Sequence, residues 1–243
     1  MSHHLGGSSP DVAWCEDTGA ASWIIGRLHG GEQTVRAVIP DGYPAYCRIL
    51  HPCWRERNGE RMPVRWSELV SRIEPRSRID ELPLPADVNE PIPGTLTQDD
   101  LHRLVATLAR HTGTPDDCWF GLWEGFGWLD AGRGESATVL GFEGNEPRPP
   151  WVIALADLPK TRLEIPERSL ILYRGSIGAA AAFCERPPWQ SPSLWWPSDR
   201  SWCVASDIDL LSTYVAGSES LIADVLADEC LEAMAVEPDD PIG

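Results

Sequence analysis

Three short constellations in this 243-residue chain combine residue types that can do chemistry. In the first, Asp199-Arg200 is followed by Asp207 and Asp209, which alternation along an extended chain would put on one face. Paired carboxylates of that kind can hold a divalent cation or share acid and base roles. No third carboxylate or histidine accompanies them, and no Asp-x-Asp-x-Asp-Gly loop is present. A solvated strand end, with Arg200 paired to a nearby carboxylate, is therefore the expectation. In the second, Arg48, His51 and Cys53 lie within six residues. A nucleophilic thiol next to an imidazole base needs such neighbours, but only in a geometry that spacing cannot fix. The third is aromatic: Trp195-Trp196-Pro197 directly precedes Asp199-Arg200. Successive side chains of an extended chain point to opposite faces, so one of the two tryptophans is expected to be exposed or to line a cleft. Alternation of Trp202, Val204, Ser206 and Ile208 predicts a strand after that corner.

These positions define a candidate binding surface of Trp195, Trp196, Asp199, Arg200, Asp207 and Tyr214, with Trp123 and Arg174 as outlying members. An enzymatic version would use Arg48, Arg174 or Arg200 to hold an anion and Glu124 or Asp199 as acid or base. That version requires the side chains to converge on one concave surface. Tyr173-Arg174-Gly175, Ser212-Thr213-Tyr214 and the Glu229 and Glu232 pair follow the Arg, Ser-Thr, Glu order of ADP-ribosyltransferases only faintly, because those transferases end in Glu-x-Glu. Gly125-Phe126-Gly127 lacks the strand-turn-helix context of a nucleotide loop, so no cofactor is predicted.

Composition narrows the functional classes. Net charge is −17, which disfavours general nucleic-acid binding through phosphates. Residues 201–243 hold ten carboxylates and no Lys or Arg, whereas residues 48–78 hold eight Arg against four Glu. The acidic end either meets the basic stretch within the fold or faces a basic protein partner. Seven scattered cysteines without a CxxC argue against a disulfide framework or a zinc ribbon. No apolar run is long enough for a membrane span and the polar start is no signal peptide, so a cytoplasmic protein is expected. Of the twelve tryptophans, most are expected in the core.

The elements that must position these residues read as α+β, a mainly antiparallel sheet with three to five short helices. Residues 1–10 read as a flexible leader and 11–243 as a single domain with a Pro-rich surface loop at 74–96. A short helix is predicted over 20–28, a strand pair over 34–39 and 45–51, and a helical face at Trp66, Leu69, Val70 and Ile73. Helix 98–111 has Thr97 as cap and a stripe of Leu101, Leu104, Val105 and Leu108. Strands are predicted at 118–123, 151–155 and 169–173, with an Ala-rich helix at 177–183. A last helix over 219–229 is capped by Ser218 and carries Leu221, Ile222, Val225 and Leu226 on its apolar face.

Several stretches together resemble one family of cytoplasmic proteins from GC-rich actinobacteria. They are 39–52 (Ile-Pro-Asp-Gly-Tyr through His-Pro), Val64-Arg65-Trp66, 118–125, Tyr173-Arg174-Gly175 and 194–218. No activity is assigned to that family, so the resemblance implies a complete cytoplasmic protein and supplies no catalytic residues. The expected function is a non-catalytic, acidic protein-interaction module of the immunity or antitoxin kind. The alternative is an enzyme or ligand-binding protein with a cleft lined by Trp and Arg.

Overall fold

A computed structural model describes residues 12–124, 160–183 and 190–242. The leader at 1–10, the strand expected at 151–155 and Gly125-Phe126-Gly127 lie outside the described residues. The fold is α+β with an antiparallel sheet. Its strands are β1 (Val12–Trp14), β2 (Ala45–Leu50), β5 (Cys118–Trp123), β6 (Leu163–Ile165), β7 (Arg168–Gly175), β8 (Leu194–Pro197), β9 (Cys203–Ala205), β10 (Ser212–Gly217) and β11 (Ala233–Val236). Strands β3 (Cys53–Arg57) and β4 (Glu60–Val64) form a separate hairpin. Across the large sheet the order is β1-β7-β5-β8-β9-β10-β2-β11, with β6 beside β1 on the same edge of β7.

Both faces of this sheet are covered. On one face pack α4 (Gln98–Ala109), α5 (Glu219–Ala227) and the 3-10 helix Ile177–Phe183, which meet Phe120, Tyr173, Trp195, Val204 and Val215. Helix α4 starts where Thr97 accepts from the Asp100 N–H, and it buries Leu101, Leu104 and Leu108 completely. Ser218 caps α5 in the same way, through the Leu221 N–H. Leu226 of α5, expected on the apolar face, is exposed because the buried stripe runs through Leu221, Ile222 and Val225.

The other face is covered by residues 18–43. A 3-10 turn runs into α1 (Ser22–Ile25), and α2 (Val35–Val38) follows. Ile24, Leu28, Val35 and Ile39 pack there on Leu172, Trp196, Cys203 and Ala216. The strand pair expected from 34–39 and 45–51 is not formed. Strand β2 is paired along both edges, by β10 and β11, so no edge remains for 34–39. That segment instead takes one helical turn, which puts Val35 and Ile39 on the same side against the sheet.

A third cluster joins the hairpin to α3 (Trp66–Leu69). Trp66 is fully buried with Leu50, Cys53, Val64, Ile79 and Val88, and its indole N–H donates to the His51 carbonyl at 2.9 Å. The helical face expected through Ile73 stops after one turn, and Val70 is already extended. The hairpin turns at Asn58 and Gly59, both with positive φ, as a two-residue type I′ turn requires. Residues 74–96 contain only the 3-10 turn Ile79–Glu81 and are held from beneath by Arg48, which donates to the Glu74 and Ser77 carbonyls at 3.0 Å each.

Candidate functional site

The residues singled out from the sequence do not meet in one place. Trp195 and Trp196 point to opposite faces as alternation demands, but both faces are covered, so both are fully buried. Trp195 stacks on Phe120 at 6.0 Å and meets the edge of Trp202 at 5.2 Å. Trp196 lies opposite Trp119 across the β5–β8 pair. The expectation that one of them is exposed is therefore overturned. Tyr214 is buried on the Trp196 face, directly across the ladder from the equally buried Arg48. Burial pulls the Arg48 pKa down and the Tyr214 hydroxyl pulls it back. Trp123 sits at the far end of β5, opposite Leu170.

Apart from Arg200, the predicted charges have local tasks. Arg174 grips Asp117 through two bonds of 2.6 and 2.9 Å and lies over the Trp119 ring. Glu124 pairs with Arg162 at 2.8 Å. Asp199 accepts from Thr112, the Gly113 N–H and the Ser201 N–H, fastening the 112–114 loop to the corner. Strand β9 ends at Ala205, short of the predicted Ile208, because Asp207 starts a turn by accepting from the Asp209 N–H. Arg168 bridges the two carboxylates, at 3.1 Å to Asp207 and 2.5 Å to Asp209. The convergence an enzymatic cleft required is absent among these side chains.

No hydrogen bond links His51 to Cys53. His51 is sealed in the interior, its Nδ1 facing the Ile92 carbonyl at 3.2 Å and its Nε2 the Thr213 hydroxyl at 2.9 Å. With Nδ1 as donor, Thr213 donates to Nε2, and Ser206 completes the chain at 2.7 Å from Thr213. Burial pushes the His51 pKa down to about 4 and the Cys53 thiol up to about 12. Neither group is ionised near neutral pH, so they form no activated nucleophile pair. Cys47 and Cys118 are pushed up to about 12 by burial as well.

The acidic end and the basic stretch meet within the chain. Asp240 pairs with Arg76, Glu232 accepts from the Trp66 and Ser67 N–H groups at the start of α3, and Arg65 donates to the Glu229 and Cys230 carbonyls. Further along, Asp239 pairs with Arg36 and Asp224 with His111. An open cleft of about 490 Å³ lies between the hairpin, α3 and the start of α4. Three of its carboxylates are engaged: Thr97 donates to Asp100, Glu232 caps α3 and Glu68 accepts from the Arg65 N–H.

One surface stands apart. Trp23, at the second position of α1, is partly exposed and stands edge-on to Trp196 at 6.1 Å and to Tyr43 at 6.3 Å. The guanidiniums of Arg27 and Arg200 lie over its ring at 5.8 and 5.5 Å. Both arginines are exposed, and neither makes an ion pair or a side-chain hydrogen bond with any described residue. The expected pairing of Arg200 with a carboxylate is thus overturned. Its neighbour Asp199 is turned toward Gly113, and the other nearby acid, Asp41, is held by His29 at 2.8 Å. Arg200 has a positive φ of 57°, and its position is fixed by the Tyr43 hydroxyl donating to its carbonyl at 3.1 Å. Burial raises the Tyr43 pKa, while Arg27 and Arg200 both act to lower it. Only Arg200 of this surface was legible beforehand. Trp23, Arg27 and Tyr43 are far from it in sequence, and no local pattern marks them.

No family model, curated protein or solved structure matches the chain.

Proposed function

We propose that this chain is a non-catalytic interaction module, acting in the cytoplasm, that docks on another protein through the surface centred on Trp23. Immunity proteins and antitoxins exemplify the kind. The observation that carries the reading is two guanidiniums over one indole, neither with an ion pair to a described residue. Nine described arginines pair with carboxylates of the same chain. Trp, Tyr and Arg are the residues that dominate binding energy at protein interfaces, and Arg27, Arg200 and Tyr43 all meet at Trp23. The cysteines described are all free, which suits a reducing compartment, and no described helix is long and apolar enough to cross a membrane.

Retrieval of partners from the native host by tagged protein tests the reading. Wild type is compared with Arg27→Gln/Arg200→Gln and with a control on the exposed hairpin, Arg57→Gln/Arg61→Gln. A stoichiometric partner should be kept by wild type and by the hairpin control and lost by the Arg27/Arg200 variant. Equal retention by all three, or no partner on any, would remove this surface as the docking face.

A further inference from the structure

Resting on the reading of the Trp23 surface as a docking face, we propose that it receives an acidic segment of a partner protein, with carboxylates on Arg27 and Arg200 and the segment's apolar groups against Trp23 and Tyr43. The chain has 37 acidic residues against 20 basic ones, so two neighbouring cations without an ion pair do not reflect a shortage of carboxylates. Two nearby acids are satisfied elsewhere: Asp199, next to Arg200 in the chain, by Thr112 and the Gly113 N–H, and Asp41, whose N–H donates to the Arg27 carbonyl, by His29. What remains is a local positive spot on a strongly negative molecule.

The backbone supports the same assignment. Arg200 occupies the left-handed region, which is unfavourable for a residue with a Cβ and free of that cost for glycine. Its conformation is over-determined by the Tyr43 hydroxyl on its carbonyl and by its own N–H donating to the Pro197 carbonyl at 2.8 Å. An arginine there carries strain that a turn alone does not require, and strain of this kind gathers at ligand clamps. Guanidiniums free of intramolecular ion pairs match carboxylate oxygens, which accept charge-assisted bonds from several directions.

The net charge makes the test clean, because an acidic probe has little general affinity for a chain of charge −17, whereas a basic probe adheres broadly. Protein labelled with ¹⁵N at its indoles is titrated with a Glu/Leu hexapeptide, its Gln/Leu counterpart and its Lys/Leu counterpart. The Trp23 indole resonance is assigned with Trp23→Phe. The Glu/Leu peptide should shift that resonance saturably, and Arg27→Gln/Arg200→Gln should weaken its affinity about tenfold. The two singles, Arg27→Gln and Arg200→Gln, each with a dispersed native spectrum, serve where the double variant does not fold. Equal binding of the Gln/Leu peptide, a Trp23 shift with the Lys/Leu peptide alone, or no shift with any peptide would overturn the carboxylate assignment. Should that happen while the arginine variant still loses the retrieved partner, the docking face stands and only its partner chemistry falls.

Discussion

Two tryptophan neighbourhoods lie back to back in this molecule and behave oppositely. At the corner of β8, Trp195 and Trp196 are fully buried, one on each face of the sheet, and their surroundings are aromatic and satisfied. About 6 Å away across the second face, Trp23 is partly exposed and carries two cations without carboxylates. The alternation rule holds at the corner. It says which way a side chain points, not whether that side is wet, and a sheet with both faces covered buries both. The layer of 18–43 that covers Trp196 is also what presents Trp23, so the hidden tryptophan supports the exposed one.

The largest expected effect belongs to the corner. Trp195→Ala and Trp196→Ala should each lower unfolding free energy by about 3–5 kcal/mol in denaturant titrations. A loss under about 1 kcal/mol from either would mean that its face is wet and that the two neighbourhoods do not differ in kind.

Next comes His51, which shares the corner's buried character but is titratable. In the unfolded chain an imidazole takes up its proton near pH 6.5, whereas the folded His51 stays neutral down to about 4. The unfolded state binds the extra proton between those values, so stability is full above about pH 6.5 and falls as pH drops toward 4. The loss is about 3 kcal/mol in size. Unfolding followed from pH 7.5 to 4 should show it in wild type, and His51→Gln should flatten the difference. Equal slopes in both proteins would contradict the sealed, neutral histidine.

Smallest is the effect of Arg200→Gly on stability. Relief of the left-handed backbone, about 1–2 kcal/mol, offsets the loss of an exposed cation–π contact of about 0.5–1 kcal/mol and the added freedom of the unfolded chain. Thermal unfolding should therefore move by no more than a few degrees. A large drop would make Arg200 a structural residue like Trp196.

Much of the frame was legible in the sequence, and the reasons are local. Thr97 and Ser218 announce α4 and α5 because a cap is a contact between residues three apart. Cys118–Trp123 reads as a strand because its run of large apolar residues is buried on both faces. The hairpin at 53–64 carries the Asn58-Gly59 signal, but its flanks are charged and largely exposed, so no apolar alternation supports it. Residues 34–39 look like a strand and form a helical turn because β2 has no free edge, a fact about β10 and β11. The candidate site was half visible for a similar reason. Arg200 beside an aromatic group was a sound expectation, yet the aromatic group is Trp23, brought there by packing across the sheet and not by its neighbours Trp195 and Trp196.

The claim that Trp23, and not the β8 corner, is the working surface is tested most directly by the affinity of Arg200→Gly for the Glu/Leu peptide, measured on protein shown to be folded. The account predicts that binding weakens severalfold while unfolding stability stays at the wild-type level. Unchanged affinity in a stably folded Arg200→Gly protein would contradict it.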